Sequence, residues 1–206
     1  MLRRRIRRAR ELTMSTSTRL INYEDSLTMP ENRFEEIVHG ESRIMPPAIK
    51  KHVYLIRKLS RVLDRQLDDR EYEVFSQQPG LGVERIPLTY RIPDLMVFRI
   101  EALRRDRVET ASNDPYIWTV PELIVECLSP SNRKGSVHEL LADYAHVGVP
   151  EVWLLDPKPP QLTSYRYESG ALQQWLATES GQVSPIRLPN VAVDLAALWA
   201  AFDGVA

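Results

Sequence analysis

Two acidic residues lie in short apolar segments of the sequence, where a carboxylate needs a partner. Asp94 follows a proline in the run Ile-Pro-Asp-Leu-Met-Val-Phe at 92–98, and Glu126 lies inside the run Glu-Leu-Ile-Val-Glu-Cys-Leu-Ser-Pro at 122–130. An unpaired carboxylate is costly to bury. A cation shared between Asp94 and Glu126 would remove that cost, and carboxylate oxygens are hard ligands that suit a divalent cation.

Both acids also have a plainer interpretation. The first position of a strand tolerates proline without any metal, so Asp94 could be a strand-start or turn residue. Side chains alternate along a strand, so Glu126 could point toward solvent. The residues alone leave both alternatives open.

The segments that would position these acids follow the order strand, helix, strand. We predict strands at 93–100, 123–128 and 152–155 and a helix at 137–146, which implies a right-handed crossover and a parallel strand pair. Apolar residues at intervals of three and four predict an amphipathic helix over 48–67 that covers one face of the sheet. The remaining predicted elements are a strand at 71–75, a hairpin of 162–167 and 172–177 around Gly170, and a closing helix at 195–202.

Three other stretches have weaker patterns. Residues 33–45 are predicted to be a helix end or turn that passes through Gly40 into a short strand. Glycine and proline recur in residues 77–87, which are therefore predicted to be a loop. Residues 101–119 are predicted to be a helical turn and a loop that crosses over the site.

Length and composition favour one soluble domain. The chain has 206 residues, 43% of them hydrophobic and 27% charged, which is enough for one well-packed core. Its single cysteine, Cys127, cannot form an intrachain disulfide and suits a reducing cytoplasm as a small buried residue. No apolar run approaches the roughly 20 residues that span a bilayer. We therefore expect a single cytoplasmic domain at 20–206 that is not associated with a membrane.

Residues 1–19 are predicted to be a basic flexible tail. The first ten residues hold six arginines but lack the apolar core of a secretory signal. Met14 is a candidate for the true start. Without residues 1–13, the totals of 27 basic and 28 acidic residues fall by six and one to 21 and 27, a net charge of −6. Such a balance argues against strong nonspecific binding of DNA.

The order of several motifs resembles the Uma2 family of restriction-endonuclease-like proteins, in the PD-(D/E)XK nuclease superfamily. The resemblance covers roughly residues 20–200. The motifs are Arg33-Phe-Glu-Glu-Ile-Val-His-Gly-Glu41, Met45-Pro-Pro47 with His52 beyond, Ile92-Pro-Asp94, Pro121-Glu-Leu-Ile-Val-Glu-Cys-Leu-Ser-Pro-Ser131 and Tyr144-Ala-His-Val-Gly-Val-Pro-Glu-Val-Trp-Leu-Leu-Asp-Pro157. The family implies an α/β fold with a restriction-endonuclease-like core, in which helices flank a central mixed sheet.

The resemblance also implies a chemistry, metal-dependent hydrolysis of phosphodiester bonds in nucleic acid, with DNA as the expected substrate. Asp94 and Glu126 would bind Mg²⁺ or Mn²⁺, together with the backbone carbonyl of Cys127. Glu36 matches the amino-terminal glutamate of the family and would orient the attacking water from the first helix or its exit. Glu35 is its rival if the register differs by one.

The chain departs from the family pattern at the basic residue of the site. Leu128 stands two residues beyond Glu126, where the superfamily often has its catalytic lysine but Uma2 relatives commonly have an apolar residue. Ser136 and Leu140 stand where Uma2 relatives usually carry an aspartate and a lysine. Lys134 and His138 are the weaker candidates for a replacement. Whether the chain is an enzyme therefore stays open on the sequence.

The departures leave three hypotheses. The first is an active endonuclease, and the second is a catalytically impaired nuclease fold that binds nucleic acid or protein. In the third, the resemblance is architectural and the acids are ordinary surface groups. A homodimer is a further expectation, with Trp153 and Trp199 as interface or, equally well, core residues. His52 is expected to be structural or interfacial.

Overall fold

The computed structural model describes residues 19–29, 35–45, 49–77, 79–109, 114–128, 136–188 and 190–203. Lys134 and almost all of the predicted tail at 1–19 lie outside these ranges. The described helices are α1 (Tyr23–Ser26), α2 (Lys50–Asp64), α3 (Ile100–Glu109), α4 (Ser136–Val147) and α5 (Leu195–Asp203). In these ranges, no helix is long and apolar enough to cross a membrane.

The strands form two larger sheets and one small ribbon. Their bounds are β1 (Glu35–Val38), β2 (Glu41–Ile44), β3 (Tyr72–Phe75), β4 (Gly80–Arg85), β5 (Leu88–Arg91), β6 (Leu95–Arg99), β7 (Tyr116–Ile117), β8 (Leu123–Cys127), β9 (Glu151–Pro157), β10 (Pro160–Glu168), β11 (Ala171–Thr178), β12 (Gln182–Val183) and β13 (Val193–Asp194). The five-stranded sheet has the order β2-β1-β5-β4-β7, and the six-stranded sheet has the order β11-β10-β9-β8-β6-β3.

Both larger sheets are mixed. Strands β8 and β9 pair in parallel across α4, while β6 pairs antiparallel with β8 on its other side. In the five-stranded sheet, β4 pairs in parallel with β7 and antiparallel with β5. The predicted α/β fold with a mixed sheet flanked by helices is confirmed, as is the parallel pair. The predicted hairpin around Gly170 is also confirmed, as β10 and β11.

The six-stranded sheet carries a hydrophobic core on each face, because successive residues of a strand point to opposite sides. On one face, Val125 of β8 packs with residues of α2 and α5. On the other face, Ile124 packs with Tyr144 of α4 and Leu103 of α3. The site acids are therefore held in strands that helices cover from both sides.

Helix α2 forms because its apolar residues recur on one side. The fully buried side chains Leu55, Leu59 and Leu63 lie one helical turn apart and face the sheet. Burying each leucine stabilises the fold by about 1.5–3 kcal/mol. The predicted helix at 48–67 is thus found, with its C-terminal end three residues earlier, at Asp64.

The turn at Gly40 and the short strand after it are confirmed, but a helix end before them was wrong, because strand β1 precedes the turn and forms a hairpin with β2. His39 and Gly40 make its turn, with φ angles of 53° and 79°. Two residues with positive φ favour the twist of a tight hairpin. A Cβ at Gly40 would lie 2.6 Å from that of Leu20, so the turn also needs glycine for space. Glu36 consequently lies on a strand and not on a helix.

The prediction of a loop at 77–87 was also wrong, because strand β4 occupies most of that segment. Its glycines allow close packing and do not break the strand. A Cβ at Gly82 would lie 2.4 Å from the ring of Trp118, which rests on the strand. Similarly, the segment 101–119 contains most of the ten-residue helix α3 and the short strand β7 in place of a turn and a loop.

Candidate active site

Asp94 lies immediately before β6 and is held by two hydrogen bonds. Its Oδ2 accepts the backbone N–H of Cys127 at 2.8 Å, and its Oδ1 shares a hydrogen bond of 2.7 Å with Nε2 of His52. The side chains of His52 and Asp94 are only 12% and 14% exposed. The first turn of α2 and the end of β8 therefore fix the orientation of the carboxylate.

Glu126 lies beside Asp94 because of the register of two strands. Leu95 pairs with Val125, so the residue before Leu95 and the residue after Val125 are neighbours. The Glu126 side chain is half-buried on the α4 face of the sheet, where its carboxylate accepts a hydrogen bond from the hydroxyl of Tyr144. The alternative in which Glu126 simply points into solvent does not hold.

The electrostatic state of Glu126 shows that the two acids interact. Burial, followed by the negative charges of Asp94 and Glu36, raises the pKa of Glu126 well above its ordinary value. The hydrogen bond from Tyr144 opposes this shift without cancelling it. Burial and the charge of Glu126 likewise raise the pKa of Tyr144. The charge of Arg91 also opposes the shift at Glu126, but negative charge outweighs positive charge around this carboxylate.

Glu36, from strand β1, joins the same cluster from the other sheet. Its Oε2 accepts a hydrogen bond from Nη1 of Arg91 at 3.1 Å, and its Oε1 accepts the backbone N–H of Ile92 at 2.8 Å. Its rival, Glu35, instead accepts a hydrogen bond from the hydroxyl of Ser42 on the neighbouring strand β2. The structure thus places Glu36 toward the acids.

Arg91 is the residue that sequence reasoning missed. Its side chain is 5% exposed, and its guanidinium contacts Asp143 at 2.6 and 2.7 Å as well as Glu36. Glu139 approaches the same group at 3.5 Å. Burial disfavours the charge of Arg91, yet the carboxylates of Glu36 and Asp143 raise its pKa above the ordinary value. A signal was present, since one arginine stands among apolar residues in the run Leu-Thr-Tyr-Arg-Ile at 88–92.

Of the two candidates for a replacement lysine, Lys134 lies outside the described residues, and His138 is not brought to the acids. His138 is exposed on α4, and in the described part of the chain no hydrogen bond or ion pair joins it to Asp94 or Glu126. Leu128 and Leu140 pack against the hydrophobic core on the α4 face. His52, which we expected to be structural or interfacial, contacts the site directly.

The donor set suits a hard divalent cation. Asp94 and Glu126 are adjacent carboxylates whose mutual repulsion a cation would relieve. Among the described residues, no group of three His, Cys, Asp or Glu side chains is close enough to hold a metal ion. A cation would therefore need further oxygen ligands, such as the predicted carbonyl of Cys127, water or a phosphate oxygen.

Comparison with known proteins decides the family. A sequence model of the Uma2 family, described as "Putative restriction endonuclease", matches residues 22–196. The chain belongs to the Uma2 family. This match confirms the resemblance drawn from the motifs. It places the chain in a family whose description is that of a nuclease.

Two individual proteins extend the comparison of this Uma2 chain. Uncharacterized protein sll1609 of Synechocystis sp. is 27% identical over 165 residues, which are 79% of this chain and 89% of that protein. A crystal structure from Anabaena variabilis, described as a "putative nuclease belonging to DUF820", has a TM-score of 0.73 and 18% sequence identity. It covers 88% of this chain and 99% of its own. The structural likeness supports the fold assignment.

Proposed function

We propose that this Uma2 protein is a metal-dependent endonuclease that hydrolyses phosphodiester bonds in DNA. The single observation that carries the proposal is the adjacent pair Asp94 and Glu126, in which burial and mutual repulsion raise the pKa of Glu126. Two buried acids without a matching cation are costly in a protein that holds no metal. A divalent cation, Mg²⁺ or Mn²⁺, makes the arrangement favourable.

Asp94 and Glu126 would hold this cation, with the carbonyl of Cys127 as a further ligand. When bound, the cation supplies charge neutralisation at the phosphate and lowers the pKa of water to near neutrality. His52 and the N–H of Cys127 keep the Asp94 carboxylate in one orientation. Tyr144 does the same for Glu126. These contacts are the outer hydrogen bonds that orient metal ligands.

Glu36 would position the attacking water. Arg91 and the N–H of Ile92 each use one of its carboxylate oxygens, and each oxygen keeps a second lone pair for water. Arg91 is a positioning residue in this scheme. Its guanidinium is committed to Glu36 and Asp143, so it supports Glu36 and balances charge without reaching a phosphate.

A second candidate function is supported by a specific observation, namely that Leu128 and Leu140 stand where a lysine is usual. Without that ammonium, the developing negative charge on the phosphate has one stabilising group fewer. In this case the protein is a catalytically impaired nuclease fold that binds nucleic acid or protein. The two functions differ in one observable, which is cleavage.

A plasmid-nicking assay tests the proposal. We expect nicking of supercoiled DNA with Mg²⁺ or Mn²⁺ and none with EDTA. Asp94→Ala should lower the rate by about 100-fold or more, comparable to the loss of one key charge-stabilising group. Glu122→Ala is the matched control, because Glu122 precedes β8 and pairs with Arg99 outside the site. Nicking that is equal in wild type and Asp94→Ala, or absent with every cation, would contradict the proposal.

A further inference from the structure

Helix α2 concentrates positive charge in a chain body that is otherwise acidic. Its 15 residues include five basic side chains and one acidic side chain, Asp64. The chain beyond residue 13 has a net charge of −6. A nucleic acid that binds this part of the chain would therefore need a local basic surface, because the net charge of residues 14–206 repels it.

A groove runs between α2 and the segment that follows β3. It has a volume of about 380 Å³. Arg57, Ser60 and Arg61 line the wall formed by α2, and Ser76 and Gln77 line the opposite wall. The described lining residues include no acid, and their polar groups are hydroxyl, amide and guanidinium donors.

Arg57 and Arg61 are exposed and lie one helical turn apart on this wall. Side chains at this spacing are neighbours at roughly 5–6 Å, and like charges there repel each other. Within the described ranges, neither guanidinium forms an ion pair. The nearest acid on the helix, Asp64, lies 3.4 Å from the hydroxyl of Ser60. An anion in the groove would relieve the repulsion.

Both walls of the groove connect to Asp94. The backbone N–H of Gln77 donates to the carbonyl oxygen of Asp94 at 3.2 Å. On the α2 side, His52 lies one turn before Ile56, which also lines the groove, and contacts Oδ1 of Asp94. The groove therefore lies next to residues that contact Asp94.

We propose that this groove binds the phosphate backbone of the nucleic-acid strand that enters the site, with Arg57 and Arg61 contacting successive phosphates. The inference rests on the proposed function and names its substrate-binding surface. Phosphate contacts fix the register of a strand without reading its sequence. The contacts that Gln77 and His52 make with Asp94 put the groove beside the candidate active site, and this favours nucleic acid over an acidic protein as its occupant.

Binding measured in EDTA tests the groove apart from catalysis. The full chain is titrated onto a fluorescein-labelled DNA duplex, and separately onto its single strand, at several NaCl concentrations. Arg57→Ala/Arg61→Ala should weaken binding at low salt by about tenfold or more. Loss of two phosphate contacts should also reduce the slope of log K against log salt by about 1.8 for duplex DNA and about 1.4 for a single strand.

The matched control is Arg104→Ala/Arg105→Ala, which removes the same charge from exposed positions on α3, the helix on the opposite sheet face. It should bind as the wild type does. Arg57→Lys/Arg61→Lys should retain most of the affinity, because phosphate contacts need the charge. Equal losses in the two alanine pairs would overturn the inference, as would wild type that binds neither DNA form. Competition by polyglutamate as effective as by DNA would overturn nucleic acid as the occupant.

The outcomes separate this inference from the proposed function. If Arg57→Ala/Arg61→Ala binds normally while Asp94→Ala abolishes nicking, the groove assignment fails and the nuclease proposal stands. If the groove variant loses binding but the wild type never cuts, the groove assignment stands and the nuclease proposal fails.

Discussion

At the scale of single residues, the site divides into a compensated half and an uncompensated half. Arg91 forms ion pairs with Glu36 and Asp143 and balances part of their charge, with Glu139 nearby. Among the described residues, Asp94 and Glu126 instead have His52, the N–H of Cys127 and the hydroxyl of Tyr144 as hydrogen-bond partners. The first group is therefore expected to stabilise the fold, and the second to bind an ion.

Arg91→Met tests the structural role of the compensated half. The substitution keeps a long side chain but removes the positive charge beside the carboxylates of Glu36 and Asp143. Breaking a buried ion pair in this way typically costs about 3–5 kcal/mol. We expect a loss of this size in the free energy of unfolding measured in urea.

The control for this experiment is Arg70→Met, because Arg70 pairs with Asp68 on the exposed surface. It should leave the midpoint of the urea transition unchanged. An Arg91→Met protein as stable as this control would show that the buried cluster does not hold the site together.

The sequence predicted the acids of the site better than their partners. Asp94 and Glu126 stand out because a charged residue inside an apolar run is conspicuous in one dimension. Arg91 gives a similar local signal, but its partners Glu36 and Asp143 are 55 and 52 residues away in the chain. Asp143 belongs to an amphipathic helix, where an aspartate is unremarkable. Only the packing of α4 against the two sheets brings these residues together.

At the scale of secondary structure elements, a second buried acid has a structural role. Glu151, on β9, is 1% exposed and accepts hydrogen bonds from Nε1 of Trp153, the hydroxyl of Ser164 and the N–H of Ile186. It joins two strands and the segment that follows β12. The Pro-Glu-Val-Trp motif at 150–153 is thus explained by packing.

Glu151→Ala should destabilise the protein by about 3 kcal/mol, because it leaves three buried or partly buried donors without an acceptor. Thermal unfolding followed by circular dichroism measures the change. Glu168→Ala, at the exposed end of β10, is the control and should unfold like the wild type. If Glu151→Ala kept full stability but lost cation binding, the residue would belong to the functional site instead.

Elements with local periodicity were predicted well, and those defined by distant pairing were not. The unit of β8, α4 and β9 has apolar strands and an amphipathic helix that each form a pattern within a few residues. Strand β4 does not, because its glycines resemble loop residues until Trp118 is seen to cover Gly82. Strand β1 depends on a turn with positive φ at His39, a conformation that is uncommon for residues other than glycine.

At the scale of the whole molecule, charge and surface determine which partners are plausible. With a net charge of −6 beyond residue 13, the proposed binding of nucleic acid depends on a local basic surface, that of α2 and its groove. The predicted homodimer remains a proposal, but its two suggested interface residues are core residues. Trp153 and Trp199 are 1% and 8% exposed and pack in the same cluster.

The central claim is that Asp94 and Glu126 form a site for a divalent cation, and calorimetric titration with Mg²⁺ and Mn²⁺ tests it most directly. We predict one binding site in the wild type, with affinity at least about tenfold weaker in Asp94→Ala and Glu126→Ala but not in Glu122→Ala. Because the pKa of Glu126 is raised, protons compete with the cation for this carboxylate at higher pH than they would for an ordinary glutamate, so the affinity should increase with pH. Absence of binding, or binding that survives both substitutions, would contradict the claim.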